Sequence, residues 1–238
     1  MTAQPVYLAE PDRPFWGFAE LFVIAALFIT VVIAGGQAWL AASGYLHLDP
    51  QLGLPLLLVE FAAYGVVFLA LRVLFARHGE PLFESLGWVP QPFRPLHLVV
   101  LGVSLTVVMI LLGYVLALPN VEVPMDKLLK GALNRIVIAA FGTTLGPVIE
   151  ELLFRGFLQP VLVESFGVLP GIIVTSAIFG GMHLVQYGFL WQSGVIITLV
   201  GFVLGVVRHV SGSTRASAIT HVSYNALPFL ALLVLGPK

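Results

Sequence analysis

The chain alternates between long apolar runs and short polar connections, a pattern that predicts about seven membrane-spanning helices. A helix needs about 20 apolar residues to cross the hydrocarbon core of a bilayer. Seven runs meet or approach this length: 16–45, 54–76, 96–118, 131–163, 170–183, 190–207 and 216–235. The last run is either one helix or two pieces broken before Pro228, so eight spans are possible. None of the runs alternates like a barrel strand, so they predict an all-α bundle.

Composition supports an integral membrane protein. Hydrophobic residues make up 59% of the 238 residues and charged residues 10%, whereas a soluble domain typically carries about 25% charged residues. We expect a single membrane domain over residues 1–238, with the motif-bearing half at 131–236, because no stretch has the composition of a soluble domain. The sequence contains no block of basic residues that would indicate a nucleic-acid partner. The chain has no cysteine, which excludes disulfides, thiol nucleophiles and cysteine-bound metals.

The basic residues in the connections favour a cytoplasmic N-terminus. Cytoplasmic loops carry an excess of lysine and arginine. With the N-terminus inside, six such residues face the cytoplasm: Arg13, Arg72, Arg77, Arg94, Arg208 and Arg215. Four face the other side: Lys127, Lys130, Arg135 and Lys238.

Glycines on two of the runs have the spacing or position of close helix contacts. Gly201 and Gly205 are four residues apart, which lets two membrane helices approach closely. Gly180 and Gly181 are adjacent on the run before. We expect packing roles for all four.

Two glutamates and an arginine lie inside the fourth apolar run. A charge near the bilayer centre costs about 2.5–3.5 kcal/mol on insertion scales, and ionisable residues there mark functional sites. Glu151 and Arg155 are four residues apart and therefore share a helix face, where they can neutralise each other. Glu150 points elsewhere without a local partner, which suits a general base. The alternative is a structural ion-pair cluster. Pro147, one turn earlier, predicts a kink.

Two later runs carry further polar groups. His183 lies at the end of one, and His221 and Asn225 lie four residues apart on one face of another. Taken singly, His183 is explained by an interfacial position, and the other pair by an interhelical hydrogen bond. Together with Glu150 they suffice for hydrolysis, because a base activates water and donors stabilise the oxyanion. Ser217 is a weaker nucleophile candidate, because no strained nucleophile turn surrounds it.

These residues resemble the motifs of the CPBP family of intramembrane endopeptidases, which includes the eukaryotic prenyl-protein (CAAX) protease and bacteriocin-immunity-type proteins. The resemblance covers roughly residues 134–228. Three motifs match in order: two glutamates followed by arginine, phenylalanine followed by histidine, and histidine followed by asparagine. Their residues here are Glu150, Glu151 and Arg155, then Phe179 and His183, then His221 and Asn225.

The resemblance implies an intramembrane protease and a role for each motif residue. Glu150 would be the base and would hold the nucleophilic water together with His183. His221 and Asn225 would form the oxyanion site. Glu151 and Arg155 would brace the helix, with Phe179 supporting the site. The substrate would be a membrane-associated peptide or protein.

General features of the chain favour a bacterial membrane protein. Prenylation is eukaryotic, whereas the compact chain has no evident organelle signal, which favours a bacterial plasma membrane.

Two other functions compete with that of a protease. One is that of an immunity or binding protein that uses the same cavity without turnover. Another is a proton-coupled transporter, because buried glutamate and histidine also mark proton paths. A relay has no need of Asn225 beside His221, which argues against the transporter.

The residues leave metal dependence open, with a preference for a metal-free site. Glu150, His183 and His221 would make a three-ligand zinc site with an open position for water. Against zinc, the chain lacks the HExxH pattern and Glu151 is committed to Arg155. Asn225 beside His221 also makes better sense as an oxyanion donor than as a zinc neighbour. We therefore favour water activated directly by Glu150 and His183, without a cofactor.

Overall fold

The computed structural model describes residues 14–47 and 53–235, and within these ranges the regular structure is helical. The helices are α1 (Phe18–Leu46), α2 (Gly53–Arg77), α3 (Leu82–Ser85), α4 (Pro95–Val115), α5 (Pro124–Leu128), α6 (Ala132–Thr143), α7 (Leu145–Glu151), a π-helix (Leu152–Leu158), α8 (Gln159–Phe166), α9 (Val168–His183), α10 (Trp191–Ser211) and α11 (Thr214–Leu235).

The predicted helical membrane bundle is confirmed. Six helical segments of the described chain are long and apolar enough to cross a membrane. The helix Val168–His183 is apolar but shorter, which gives the seven runs expected from the sequence. The last run is one helix, with Pro228 inside it. The chain is therefore an integral membrane protein.

The connections place the basic residues at two opposite ends of the bundle. Because successive spans run in opposite directions, Arg77 and Arg94 lie at the same end as Arg208 and Arg215. Lys127 and Lys130 lie at the other end, beside α5. Arg13 and Lys238, which the orientation count also used, fall outside the described residues, and the cytoplasmic N-terminus stays a prediction.

The fourth apolar run is interrupted rather than continuous. The break lies at Thr144, where φ is −124° and ψ is −86°. The predicted kink at Pro147 is therefore displaced by three residues toward the N-terminus. Pro147 occupies the first turn of α7, where its missing N–H costs little, and its ring would clash with the carbonyl of Thr143 in a continuous helix. The break removes that clash.

The π-helix that follows α7 carries Arg155 at its centre. Two other segments of the chain pack against the π-helix. The Trp16 indole N–H donates to the carbonyl oxygen of Phe157 at 2.9 Å. Gly156 lies so near Leu86 that a Cβ would approach the Leu86 carbonyl oxygen to 2.6 Å. Short π-helices often occur at functional sites, because the wider turn shifts the side chains that follow.

Small residues let the site-bearing helices pack closely. A Cβ on Gly180 of α9 would lie 2.9 Å from the Gly194 carbonyl oxygen in α10. Gly201 and Gly205 of α10 face α9 and α8 at similar range, so packing roles are confirmed for these three. The expectation for Gly181 is wrong, because nothing lies within 4 Å of its Cβ position.

Gly102 lies where α4 packs closely against α11, and a larger residue there should destabilise the protein. A Cβ would collide with the Thr220 carbonyl oxygen and lie 2.7 Å from the Ser223 Cβ. We expect Gly102→Ala to lower the free energy of unfolding by about 1–3 kcal/mol. Gly181→Ala is the matched control and should be neutral or slightly stabilising, because alanine favours a helix. Thermal unfolding in detergent measures both; equal effects would contradict the close contact.

Candidate active site

A buried ion pair lies next to the motif residues of the candidate site. Arg155 Nη1 donates to Glu151 Oε1 at 2.8 Å, and both side chains are 0% exposed. Arg155 Nη2 donates to the Gly201 carbonyl oxygen of α10 at 2.9 Å. The guanidinium carbon lies 4.5 Å from the centre of the Phe179 ring of α9. The pair predicted from the four-residue spacing is present, and it ties three helical segments together.

Glu151 has a second partner that spacing could not reveal. Its Oε1 accepts a hydrogen bond from Nδ1–H of His221 at 3.0 Å. His221 belongs to α11, 70 residues away in the chain. Glu151 therefore links the arginine of the π-helix to the histidine of the third motif. Removing this carboxylate would disturb both groups.

Both histidines engage the same ring nitrogen, Nδ1, in a hydrogen bond. His183 Nδ1 lies 2.8 Å from the Phe179 carbonyl oxygen, and a carbonyl oxygen can only accept, so Nδ1 carries the proton. His221 Nδ1 is likewise engaged by the Glu151 carboxylate. The bond at one ring nitrogen fixes the role of the other. The Nε2 atom of each imidazole is thus left with a lone pair.

Glu150 stands apart from its neighbour Glu151. Its side chain is 22% exposed, and its Oε2 lies 3.8 Å from His221 Nε2. That separation is too long for a direct hydrogen bond, and one water could bond to both atoms. The helical phase predicted from the sequence thus separates an enclosed glutamate from an accessible one.

Asn225 is oriented by the break in the fourth run. Its Nδ2–H donates to the Gly142 carbonyl oxygen at 2.7 Å. Gly142 lies in the last turn of α6, where helix carbonyls lack partners in their own helix. One N–H of the amide is committed to this contact. The second N–H stays available for a ligand.

The four residues predicted to be catalytic line one cavity of about 210 Å³. Glu150 comes from α7, His183 from α9, and His221 and Asn225 from α11. Apolar groups such as Leu57, Ile138 and Phe229 make up much of the remaining wall. Water held here has polar partners beside it and low-dielectric walls around it, which strengthens electrostatic interactions.

Glu60 of α2 also lines this cavity, and the sequence reading missed it. The first three runs match the motif-bearing family only in being hydrophobic. A signal was nevertheless present, because Glu60 is a carboxylate inside an apolar run. No motif accompanied it.

The zinc alternative fits the described residues poorly. Among residues 14–47 and 53–235, no three histidine, aspartate or glutamate side chains are grouped closely enough to hold a metal ion. Glu150, His183 and His221 share the cavity without forming such a group. Their arrangement suits acid–base chemistry around a water molecule.

Comparison with known protein families gives a match within the motif-bearing half of the chain. Residues 132–227 match the family model described as Rce1-like, type II CAAX prenyl endopeptidase. The matched segment contains all the motif residues and nearly coincides with the range expected from the motifs. No curated protein and no solved structure matches the chain.

Proposed function

We propose that the chain is an active intramembrane endopeptidase of the CPBP/CAAX protease type in which side chains activate the water, and the family match over residues 132–227 supports this proposal. One observation carries the mechanism. Glu150, His183, His221 and Asn225 line the same cavity although they come from three helices. The substrate is a peptide or protein in or at the membrane. We place the enzyme in a bacterial plasma membrane with its N-terminus in the cytoplasm.

Glu150 acts as general base in this proposal. It is the accessible member of the glutamate pair, and it lies across from an imidazole nitrogen. His183, whose Nε2 lone pair is free because Nδ1 is bonded to Phe179, helps to orient the water. The water oxygen attacks the carbonyl carbon while Glu150 takes its proton. When the C–N bond breaks, Glu150 returns that proton to the leaving amine.

The oxyanion of the tetrahedral intermediate is stabilised by Asn225 and His221. Asn225 supplies its second N–H, since the first is committed to Gly142. His221 donates from Nε2 as the imidazolium, after it has taken up a second proton from water, and the bond from Nδ1–H to Glu151 holds the ring in place. Losing one oxyanion donor typically costs about 10²–10³ in kcat.

A comparison of membrane proteomes tests the proposal in cells. Membranes carrying the wild-type protein should contain at least one cleaved peptide or protein that is absent from membranes with Glu150→Gln. An immunity or binding protein would leave the two proteomes alike. A transporter would likewise produce no difference in cleavage, so identical proteomes would count against the protease.

Metal dependence gives a separate prediction. We expect the purified protein to keep its peptidase activity after chelation, because Glu150 and His183 suffice to activate water. Elemental analysis of the active protein should find zinc well below one atom per chain. Near-stoichiometric zinc, with activity lost on chelation and restored by zinc alone, would overturn the metal-free mechanism.

A further inference from the structure

Glu60 is a carboxylate in the cavity that the proposed reaction does not use. It lies on α2, outside residues 132–227 and therefore outside the family match. It shares the cavity wall with Glu150 and His183. Ionisable residues in membrane helices face a cavity or a partner and mark substrate or ion paths. From this position in the cavity wall, Glu60 can contact a bound substrate.

The surrounding helices hold the Glu60 carboxylate in place. Tyr64, one turn further along α2, donates its phenol O–H to Glu60 Oε1 at 2.9 Å. The Tyr64 ring is buried and packs against Phe28 of α1, with ring centres 5.4 Å apart. No side chain within residues 14–47 and 53–235 forms a hydrogen bond with Oε2. One oxygen is positioned by the phenol and the other is left for a ligand.

Helix α2 itself is anchored to the half that bears the motifs. Leu57, which also lines the cavity, packs in a buried cluster with Leu129 and Ile138. Glu60 lies less than one turn after Leu57. Its distance from the reacting groups is therefore fixed by core packing rather than by a loop.

The cavity lining carries an excess of negative charge even when His221 is counted as an imidazolium. Two of its side chains are carboxylates, Glu60 and Glu150, and among the described residues no lysine or arginine lines it. The nearby guanidinium of Arg155 is buried and bonded to Glu151. A cation entering the cavity meets complementary charge, whereas a free peptide carboxylate meets like charge.

We infer that Glu60 binds a positively charged side chain of the peptide substrate, so that a lysine or arginine near the cleaved bond determines specificity. This inference rests on the proposed function, because it assigns a substrate class to the same cavity. Glu60 Oε2 accepts from the ammonium or guanidinium group, and Tyr64 keeps Oε1 in place. Substrates are cleaved at internal bonds beside a basic residue.

Capped peptides provide the test. A series of decapeptides of alanine and leucine carries one lysine, glutamine or glutamate, moved through each position. Acetylated and amidated ends remove the terminal charges. Binding to the full-length protein in detergent is measured by thermophoresis, and cleavage in parallel by mass spectrometry. At one or two positions relative to the cut, we expect lysine peptides to bind about tenfold more tightly than glutamine peptides.

Variants of α2 assign that preference to the carboxylate. Glu60→Gln should abolish the preference for lysine over glutamine peptides. Glu60→Asp, which keeps the charge on a shorter side chain, should retain a lysine preference that is weaker or lies at a shifted position, and Tyr64→Phe, which keeps the carboxylate, should retain a preference for lysine. If Glu60→Gln does not fold, Glu60→Asp should shift the preferred position or weaken the lysine preference, and an unchanged profile would overturn the inference.

The outcomes separate this inference from the proposed function. Equal binding of lysine and glutamine peptides by the wild-type protein would overturn the Glu60 site, and so would a lysine preference that survives in Glu60→Gln. Lysine-selective binding without cleavage of any peptide would support the site and count against the protease. Equal cleavage of lysine and glutamine peptides would support the protease and overturn the Glu60 site.

Discussion

Glu150→Gln is expected to lower the rate of peptide hydrolysis by at least about 10²–10⁴-fold, the usual contribution of a general base. Glutamine has nearly the same shape but cannot accept the proton of the attacking water. The free energy of unfolding should change by about 1 kcal/mol or less. The side chain is partly exposed, and it lies 3.8 Å from His221 Nε2, too far for a direct hydrogen bond. The rate of cleavage of a peptide substrate checks the expected loss of activity, and thermal unfolding in detergent checks the expected stability.

Ser217→Ala is the matched control for this variant. Ser217 lies one turn before His221 and donates its hydroxyl to the Thr214 carbonyl oxygen at 3.0 Å. If a serine were the nucleophile, this substitution would abolish activity. We expect it to leave the rate within a few-fold. Retained cleavage by Glu150→Gln, or its loss in Ser217→Ala, would refute the assignment of the base.

Glu151→Gln should instead destabilise the protein, by about 3–5 kcal/mol, because removing one partner of a buried pair leaves the other charge uncompensated. Arg155 is 0% exposed, and among the described residues it is paired with one carboxylate, that of Glu151. The same substitution weakens the bond that orients His221. Activity should therefore fall as well. Equilibrium unfolding by denaturant in micelles measures the loss of stability.

A double variant separates the charge from the packing. Replacing a buried ion pair by apolar residues of similar size is often neutral or stabilising. Glu151→Leu combined with Arg155→Met should therefore recover much of the stability that Glu151→Gln loses, while activity stays low because His221 has lost its partner. If Glu151→Gln is as stable as the wild type, the ion pair is not the brace that its burial indicates.

Local spacing was enough to predict contacts within one helix. The distance of four residues predicted the pair of Glu151 and Arg155, because helical geometry alone brings them together. It also separated Glu150 from its neighbour. The break at Thr144 was predicted only approximately, since a proline fixes where a helix cannot continue but not which residue before it changes conformation.

Contacts between distant helices lay beyond such reasoning. The bond from His221 to Glu151 and the bond from Asn225 to Gly142 each join segments far apart in the chain. They depend on how α11 packs against α6 and α7, which periodicity does not encode. Glu60 was missed for a related reason, because a single carboxylate in an apolar run becomes meaningful only when the cavity beside it is known.

Peptide hydrolysis by the purified full-length protein in liposomes is the most direct test of an intramembrane endopeptidase that uses Glu150. A defined pool of capped peptides is incubated with wild-type protein and with Glu150→Gln, and new amino and carboxyl termini are identified by mass spectrometry. We expect matched pairs of fragments with the wild type and intact peptides with the variant. Intact peptides in both samples, or the same fragments in both, would contradict hydrolysis at Glu150.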